Sequence, residues 1–383
     1  MKEIVVVGCG FFGSTVAERI ASCLHIPVRI IEKRDHIGGN SWSAPCEITG
    51  IDVHQYGSHI FHTSDQVVWD YISQFTQFNQ YHHRVYTTHR NHVYNMPINL
   101  HTINAYFKKN LQPFEVHDFL QAQIADENIC SSSNLEEKAI SLIGRSLYEA
   151  FFKGYTEKQW QTSPRNLPAS IVTRLPIRHN FNNRYFSDKY EGIPIHGYGE
   201  LFRKLLDHPL ITVDLNCDFL DFKDEDEFND TLVVYTGPID AYFRYCHGKL
   251  AWRTVSFVKE IHHYHDYQGT AVMNYADANV PYTRIHEYKH YHPERPFTKQ
   301  TVIAKEYSRF SEKDDDPSYP IENEVNRKIY QAYVQESRSV NHVIFGGRLG
   351  TYAYMDMDKT IRSALDCFES VIRPRILRTS STN

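Results

Sequence analysis

The fold of this chain is decided by residues 4–32, which read IVVVGCGFFGSTVAERIASCLHIPVRIIE. The apolar run over residues 4–7 is typical of a strand that is buried on both faces, as in a parallel sheet. A GxGxxG motif follows at once over residues 8–13, and residues 14–24 then have the periodicity of a helix. With a second apolar run over residues 28–32, the stretch predicts a βαβ unit.

The glycine motif stands in the setting that a dinucleotide-binding site requires. Gly8 permits the tight turn, Gly10 lets the backbone approach a pyrophosphate, and Gly13 lets the helix pack closely on the strand. The helix N-terminus adds N–H donors and a partial positive charge. Glu32 ends the second strand nineteen residues after Gly13 and is expected to accept hydrogen bonds from ribose hydroxyls.

Three features favour FAD over NAD as the bound dinucleotide. Glu32 is followed six positions later by Gly38-Gly39, which resembles the signature of the large FAD-binding class that includes amine oxidases. Strand-then-glycine segments at 235–238 and 345–348 are similar to that class as well. The sequence contains no second GxGxxG that could hold a nicotinamide nucleotide.

Length and composition limit the alternatives. A chain of 383 residues is long enough for two or three domains, and 41% hydrophobic with 23% charged residues is ordinary for a soluble globular protein. The net charge of −5 gives no general attraction to nucleic acid or an anionic membrane, and no apolar run is long enough for membrane insertion. The seven cysteines form no CxxC pair, so we expect a reduced, cytoplasmic protein without a metal site.

The rest of the chain alternates between helical and extended patterns. Residues 100–160 have helical spacing with Asn134 as a helix start, and the prolines at 164–194 indicate loops. Alternation over 251–308, including 286–291, predicts an antiparallel sheet, and 313–317 a solvated turn. Further predicted elements are a helix and strand at 197–217, strands at 232–237 and 343–348, and helices at 323–337 and 358–371.

These patterns predict an α/β fold with a discontinuous core. The FAD-binding, Rossmann-type domain is expected to comprise residues 1–85, 195–245 and 325–383. An inserted helical domain is expected at 98–165. An inserted antiparallel β-sheet domain is expected at 170–194 and 250–322.

Several long segments resemble the bacterial UDP-galactopyranose mutase family. They are residues 32–40 (EKRDHIGGN), 56–63 (YGSHIFHT), 153–160 (KGYTEKQW), 174–178 (RLPIR), 280–284 (VPYTR) and 346–352 (GGRLGTY). The resemblance runs in order over nearly the whole chain. The family includes relatives that act on dTDP-fucopyranose and UDP-N-acetylgalactopyranose.

The resemblance implies an isomerase that interconverts the pyranose and furanose forms of a nucleotide-linked sugar. In this family N5 of the reduced flavin attacks the anomeric carbon, and no net redox change occurs. UDP-galactopyranose is the expected substrate, with dTDP-fucopyranose and UDP-N-acetylgalactopyranose as alternatives. A flavin oxidoreductase of the amine oxidase class and a non-catalytic nucleotide-sugar binder are two further hypotheses.

The resemblance also implies the site residues. Arg174, Arg284 and His59 match catalytic positions, the two arginines as cations for the diphosphate. The implied substrate contacts are Phe151, Phe152, Tyr155, Thr156, Gln159, Trp160, Arg174, Tyr185, Arg253, Asn274, Arg284, Tyr319, Tyr354 and Asp356. The implied cofactor contacts are Gly8, Gly10, Phe12, Gly13, Glu32, Lys33, Gly39, Asn40, His59, Ile60, Arg348, Asp356 and Met357.

Three positions depart from the family pattern, and they bear on the sugar or the base rather than on the flavin. Gln161, Glu191 and Ser318 stand where the family usually has Gly, Gln and Tyr. Phe151 also lies at helical spacing typical of a core position. As partners the resemblance implies an external reductant such as NAD(P)H and a second copy of the chain, in cytoplasmic O-antigen biosynthesis.

Overall fold

A computed structural model describes residues 3–380, except 126, 128, 130, 131, 175, 226, 227, 229, 230, 297, 298, 313, 314 and 322, and except the side chains of 173, 174, 379 and 380. The strands are β1 (Ile4–Val7), β2 (Val28–Ile31), β3 (Ser43–Pro45), β4 (Asp52–His54), β5 (Phe61–Thr63), β6 (Val85–His89), β7 (His92–Met96), β8 (Tyr190–Gly192), β9 (Ile211–Asp214), β10 (Val233–Tyr235), β11 (Trp252–His262), β12 (Val272–Tyr275), β13 (Arg284–Glu287), β14 (Thr301–Phe310), β15 (Tyr319–Pro320) and β16 (Val343–Phe345). The α-helices are α1 (Phe11–Leu24), α2 (Gln66–Ile72), α3 (Leu100–Phe107), α4 (Val116–Ile124), α5 (Leu135–Tyr148), α6 (Gly154–Trp160), α7 (Gly197–Leu205), α8 (Ile239–Tyr242), α9 (Glu324–Glu336), α10 (Gly347–Gly350), α11 (Met357–Cys367) and α12 (Arg373–Ser380).

A parallel sheet carries the glycine motif. Its order is β16-β10-β1-β2-β9, and all neighbours are parallel. Counted along the chain this is the 3-2-1-4-5 order of a dinucleotide-binding fold, so the predicted Rossmann-type fold is confirmed. Every residue of β1 is buried, and α1 packs against β2 and α11.

Helix α1 begins at Phe11, three residues before the predicted start at Ser14. Its first turn therefore lies inside the glycine motif, with Gly10 as the N-cap. The apolar periodicity did not indicate this turn, because Phe11 and Phe12 are both buried and glycine carries no side chain.

The second, larger sheet has the order β15-β11-β14-β13-β12-β6-β7. All neighbouring pairs are antiparallel except β12 and β6, which are parallel. The predicted antiparallel sheet is therefore confirmed for every strand pair except β6–β12. Because that pair is parallel, the sheet as a whole is mixed. The parallel pair joins the hairpin at 85–96 to strands nearly 200 residues later, a pairing that no local pattern encodes.

Two segments differ from the predicted sheet. Residues 286–291 were predicted to be extended, but the strand ends at Glu287 and a 3-10 helix covers Tyr288–Tyr291. In a 3-10 helix side chains three positions apart align, which lets Tyr288 and Tyr291 both be fully buried. In the stretch 170–194, strand β8 pairs with β5 in a separate two-stranded sheet and not with the larger one.

Residues 100–160 are mainly helical as predicted, but the helices are interrupted at several points. Asn134 caps α5 as predicted, since its side-chain oxygen accepts a hydrogen bond from the Glu137 N–H at 3.0 Å. The backbone breaks at Gly144, and a π-helical turn covers Glu149–Lys153 before α6. A π turn inserts one residue per turn, so the side chains that follow face a different side than straight-helix spacing predicts.

In the part of the chain that the structure describes, five clusters of buried hydrophobic residues stabilise the fold, and two of them pack the layers described above. One buries α3 to α5 and the π turn against the larger sheet, and another buries α1 between the parallel sheet and α11. A cavity opens where the carboxyl ends of β1, β2 and β10 meet residues of the larger sheet. Within the described residues, no helix is both long and apolar enough to cross a membrane.

Candidate functional site

The cavity brings together most of the predicted site. Its volume is about 1180 Å³, above the roughly 300–1,000 Å³ of a typical ligand pocket, so there is room for more than one small ligand. The predicted residues that line it are Gly8, Gly10, Phe12, Gly13, Glu32, Lys33, Gly39, Asn40, His59, Ile60, Tyr155, Gln159, Trp160, Tyr185, Arg253, Asn274, Arg284, Tyr319, Arg348, Tyr354, Asp356 and Met357.

Three predicted substrate residues do not line the cavity. Phe151, Phe152 and Thr156 are buried beside it. The Phe151 ring packs in the core, with its centroid 5.0 Å from that of Tyr94. Both phenylalanines lie in the π turn Glu149–Lys153 and belong to the hydrophobic core, which agrees with the core position that helical spacing predicts for Phe151.

Arg174 is the remaining predicted residue. It ends a 3-10 helix that covers Ala169–Arg174. Its side chain lies outside the part of the chain that the structure describes. The neighbouring residues Ser170 and Ile171 do line the cavity.

The glycine motif forms a cradle that depends on the absence of side chains. Gly8 has φ 95°, a left-handed conformation, and a Cβ there would collide with Thr236 Oγ1. A Cβ on Gly13 would collide with the Gly8 carbonyl oxygen. Gly10 caps α1 without any side-chain acceptor for the first N–H groups. This open helix N-terminus fits a pyrophosphate.

Glu32 lies at the end of β2 on the cavity wall. Its carboxylate is buried and accepts hydrogen bonds from the Cys9 N–H at 2.7 Å and the Arg34 N–H at 3.0 Å. The backbone thus fixes the carboxylate before any ligand arrives. A carboxylate has about four acceptor sites, so two remain for ribose hydroxyls.

We predict that Gly10 and Gly13 respond differently to alanine. Gly10 has φ −80°, and no atom lies within 4 Å of the position that a methyl group would occupy, so Gly10→Ala should leave the melting temperature of the flavin-free protein unchanged. The same methyl should weaken FAD binding by roughly tenfold or more, because it occupies the pyrophosphate approach. Gly13→Ala should lower both the melting temperature and the FAD affinity, because its Cβ would collide with the Gly8 carbonyl oxygen. Thermal melts and FAD titrations separate these outcomes, and wild-type FAD affinity in Gly10→Ala would contradict the cradle.

A buried network fixes Arg284 at the opposite wall. Its Nε lies 3.1 Å from Glu306 Oε1, in the strand directly opposite. Glu306 Oε2 lies 2.8 Å from His286 Nε2, and His286 Nδ1 is hydrogen-bonded to Ser58 Oγ. Ser58 also lines the cavity and shares a hydrogen bond with Tyr291. The Arg284 guanidinium is therefore held by a chain of polar groups from three elements.

The charges of this network are set by their neighbours. Burial alone raises the pKa of Glu306, but Arg284 and His286 lower it by more, and the net shift is downward. Burial opposes the charge of Arg284, yet Glu306 and nearby tyrosines raise its pKa overall. Both groups are thus ionised at neutral pH.

Arg253 and Arg348 add cationic character to the same cavity. Arg253 is 1% exposed and donates to Ser308 Oγ at 2.9 Å and to Gln161 Oε1 at 3.3 Å. Burial lowers its pKa to about 10, and no carboxylate among the described residues pairs with it. A guanidinium without an acidic partner has the charge and the donors to bind a phosphate group.

Four tyrosines complete the polar lining. Burial raises the pKa values of Tyr155, Tyr185, Tyr319 and Tyr354, so their hydroxyls stay protonated and can donate hydrogen bonds. The Tyr354 hydroxyl donates to Asp356 Oδ1 at 2.8 Å. These hydroxyls and the arginines suit an anionic, oxygen-rich ligand.

His59 is held as a neutral ring. Its Nδ1 lies 2.8 Å from the Gly57 carbonyl oxygen, so Nδ1 carries the proton and Nε2 is an acceptor. Burial lowers the pKa of His59 to about 4, and the charge of Arg348 lowers it too. The backbone N–H of His59 donates to His54 Nδ1 at 3.1 Å.

Arg34 lines the cavity although the sequence did not indicate it as a site residue, and the predicted turn at 313–317 lies partly beside it. The Arg34 guanidinium pairs with Asp316 at 2.9 Å, so the predicted solvated turn is partly buried there; residues 313 and 314 of that turn lie outside the described chain. Glu191 pairs with Arg184 at 2.7 Å. Gln161, Glu191 and Ser318, the three departures from the family pattern, do not line the cavity.

The parallel sheet, the glycine cradle and Glu32 define a Rossmann-like dinucleotide-binding protein. A family model for an NAD(P)-binding Rossmann-like domain matches residues 6–75, in agreement with this class. A second family model, UDP-galactopyranose mutase, matches residues 150–354. The chain belongs to the UDP-galactopyranose mutase family, and it is a mutase, which is a kind of isomerase.

Individual relatives agree with this assignment. The chain is 43% identical to a probable UDP-galactopyranose mutase of Klebsiella pneumoniae, covering 95% of this chain and 93% of the relative. It is 39% identical to a dTDP-fucopyranose mutase of Escherichia coli, covering 97% and 99%. Its fold is similar to a crystal structure of reduced UDP-galactopyranose mutase, with a TM-score of 0.76 and 15% identity over 97% and 94% of the chains.

Proposed function

We propose that this mutase interconverts the pyranose and furanose forms of a nucleotide-linked sugar, with FAD as its cofactor. The observation that carries the proposal is a single cavity with two kinds of wall. The glycine cradle and Glu32 form one, and Arg284, Arg253 and tyrosine hydroxyls form the other. The first suits a dinucleotide and the second a sugar diphosphate.

The chain offers a complete set of groups to hold FAD. Gly8, Gly10 and Gly13 would receive the pyrophosphate and Glu32 a ribose. The remaining cofactor contacts that we propose are Phe12, Lys33, Gly39, Asn40, His59, Ile60, Arg348, Asp356 and Met357. When bound and reduced, the flavin supplies a nucleophile for the anomeric carbon. We propose that neutral His59 accepts a hydrogen bond at Nε2 beside the ring and adds no charge.

The leaving group of such a reaction is a nucleoside diphosphate, which needs compensating cations. Arg284 is fixed by Glu306 and faces the cavity, and Arg253 is buried without an acidic partner among the described residues. We propose that both bind diphosphate oxygens, with Arg174 as a third cation and Asn274, Tyr185, Tyr319 and Tyr354 as hydrogen-bond partners. Cations placed before the bond breaks stabilise the charge that develops on the leaving group.

The nucleobase end is assigned to helix α6. Tyr155, Gln159 and Trp160 line the cavity there. An aromatic ring and an amide suit a pyrimidine, which stacks and hydrogen-bonds at its edge. Phe151 and Phe152 belong to the adjoining hydrophobic core. We propose that they and the buried Thr156 support this face and do not touch the base.

We expect turnover of a nucleotide-sugar only with reduced flavin. Purified protein reconstituted with FAD should convert UDP-galactopyranose after dithionite treatment and be inactive while oxidised, with products separated by chromatography. Equal activity in both states would contradict the proposal. Oxygen consumption with an amine substrate would instead support the oxidoreductase alternative, and binding of substrate without turnover would support a non-catalytic binder.

UDP-galactopyranose is the sugar we propose, and dTDP-fucopyranose is the second candidate. Both rest on the relatives of similar identity, 43% and 39%. The same assay with UDP-galactose, dTDP-fucose and UDP-N-acetylgalactosamine ranks them by kcat/KM. We further propose a cytoplasmic homodimer in O-antigen synthesis that an external reductant such as NAD(P)H keeps reduced.

A further inference from the structure

Lys158 in helix α6 makes contacts that a surface lysine does not make. Its ammonium group donates to three backbone carbonyl oxygens, those of Tyr275 at 2.6 Å, Asp277 at 2.9 Å and Tyr282 at 3.1 Å. All three N–H donors of the ammonium group are thereby used. None of the three acceptors is a carboxylate, so this is not an ordinary ion pair.

The three carbonyls belong to the last residue of β12 and to the connection from β12 to β13. Tyr275 ends β12, directly after the cavity residue Asn274, and Tyr282 lies two residues before Arg284. On the other side, Lys158 lies between Tyr155 and Gln159, which line the same cavity. One side chain therefore ties the two walls that we assign to the nucleotide and to the diphosphate.

Neighbouring contacts show that the connection is clamped from both sides. A Cβ on Gly154 would press on the Ala276 carbonyl oxygen, so α6 approaches the connection without a gap. Asp277 is fixed from the opposite side by His89 Nδ1 at 2.7 Å and by the Arg90 N–H at 2.9 Å. Lys158 supplies the hydrogen bonds between α6 and the connection, and Gly154 permits their close approach.

We infer that Lys158 is a positioning residue that sets the distance between the α6 wall and the Arg284 wall, and so the affinity for the nucleotide-sugar, without touching it. The inference rests on the proposed function. Stability alone does not explain a lysine here, because an apolar side chain of similar length would avoid the desolvation of a charge. A charge with three directed donors fixes a geometry that an apolar chain cannot fix.

The test compares Lys158→Met and Lys158→Arg with wild type and with Lys153→Met, an exposed lysine of the preceding π turn. We expect Lys158→Met to bind UDP roughly tenfold more weakly and to raise KM by a similar factor, since small misplacements of a binding wall have effects of this size or larger. The kcat and FAD content should stay close to wild type, and the melting temperature should fall only modestly, because three backbone carbonyls lose their donor. Lys158→Arg should recover part of the affinity, and Lys153→Met should match wild type.

Two results would overturn the inference. One is a folded, FAD-loaded Lys158→Met with wild-type UDP affinity. The other is a joint loss of UDP affinity, FAD and melting temperature, which would show a purely structural role. Wild-type protein that binds no UDP and no dTDP would contradict the proposed function and the inference together, so the wild-type titration separates the two failures.

Discussion

Arg284→Ala is expected to reduce kcat by about 10²–10³-fold or more, while FAD remains bound and the reduced flavin spectrum is unchanged. The guanidinium lies on the cavity wall, and Glu306 holds it by an ion pair at 3.1 Å. A donor that is fixed in this way stabilises a leaving diphosphate without reorganisation, which is where such groups have their largest effects. The glycine cradle lies on the other wall, so cofactor affinity should not depend on Arg284.

Controls separate charge from geometry in this prediction. Arg284→Lys keeps the charge but loses the planar fork, so its kcat should lie between those of wild type and Arg284→Ala. Arg145→Ala removes an exposed arginine that pairs with Glu127, and neither residue lines the cavity, so its kcat should equal wild type. An Arg284→Ala enzyme with more than a tenth of wild-type kcat would show that other groups carry the leaving-group charge.

The predictable parts of this molecule are those encoded by near neighbours in sequence. The βαβ unit over residues 4–32 is predictable because strand, glycine turn and acid follow one another within one motif. The N-cap role of Asn134 is predictable for the same reason. Both depend on contacts within a few residues.

The missed parts depend on register between distant segments. Arg284 and Glu306 are direct partners across β13 and β14, but nothing near either residue marks the other. The family resemblance places Phe151 among the substrate contacts, and the π turn in which it packs into the core has no visible sequence signal. The parallel pairing of β6 with β12 is likewise determined by tertiary packing and not by the local sequence.

Glu191 and Gln161 are two positions that depart from the family pattern, and their contacts show how each bears on the cavity. Glu191 stands where the family usually has Gln, and its carboxylate is buried and binds Arg184 and the His83 N–H. Gln161 ends α6 in a left-handed conformation, φ 50°, and contacts Arg253. Gln161 therefore contacts a residue of the cavity wall, Arg253. Glu191, which does not line the cavity, instead binds Arg184 and the His83 backbone.

Glu306→Ala is expected to destabilise the protein by up to about 3 kcal/mol and to reduce kcat strongly, because it leaves a partly buried cation without its partner. Glu306 is buried and binds both Arg284 and His286. The double variant Arg284→Ala/Glu306→Ala should be less destabilised than Glu306→Ala alone, since no unpaired guanidinium remains. Urea denaturation of the four proteins in this cycle measures the coupling, and additive effects would show that the pair does not act as a unit.

Glu306→Gln gives the matching pH test, since it keeps the shape and removes the charge. The pKa of Glu306 in the folded protein lies below its usual value of 4.5. Its contribution to stability is therefore present above that value and is lost as the pH falls through the lower, folded pKa. The difference in the free energy of unfolding between wild type and Glu306→Gln should be constant from about pH 6 to 8 and should shrink in acid. A difference that persists unchanged at low pH would show that Glu306 holds Arg284 by shape and not by charge.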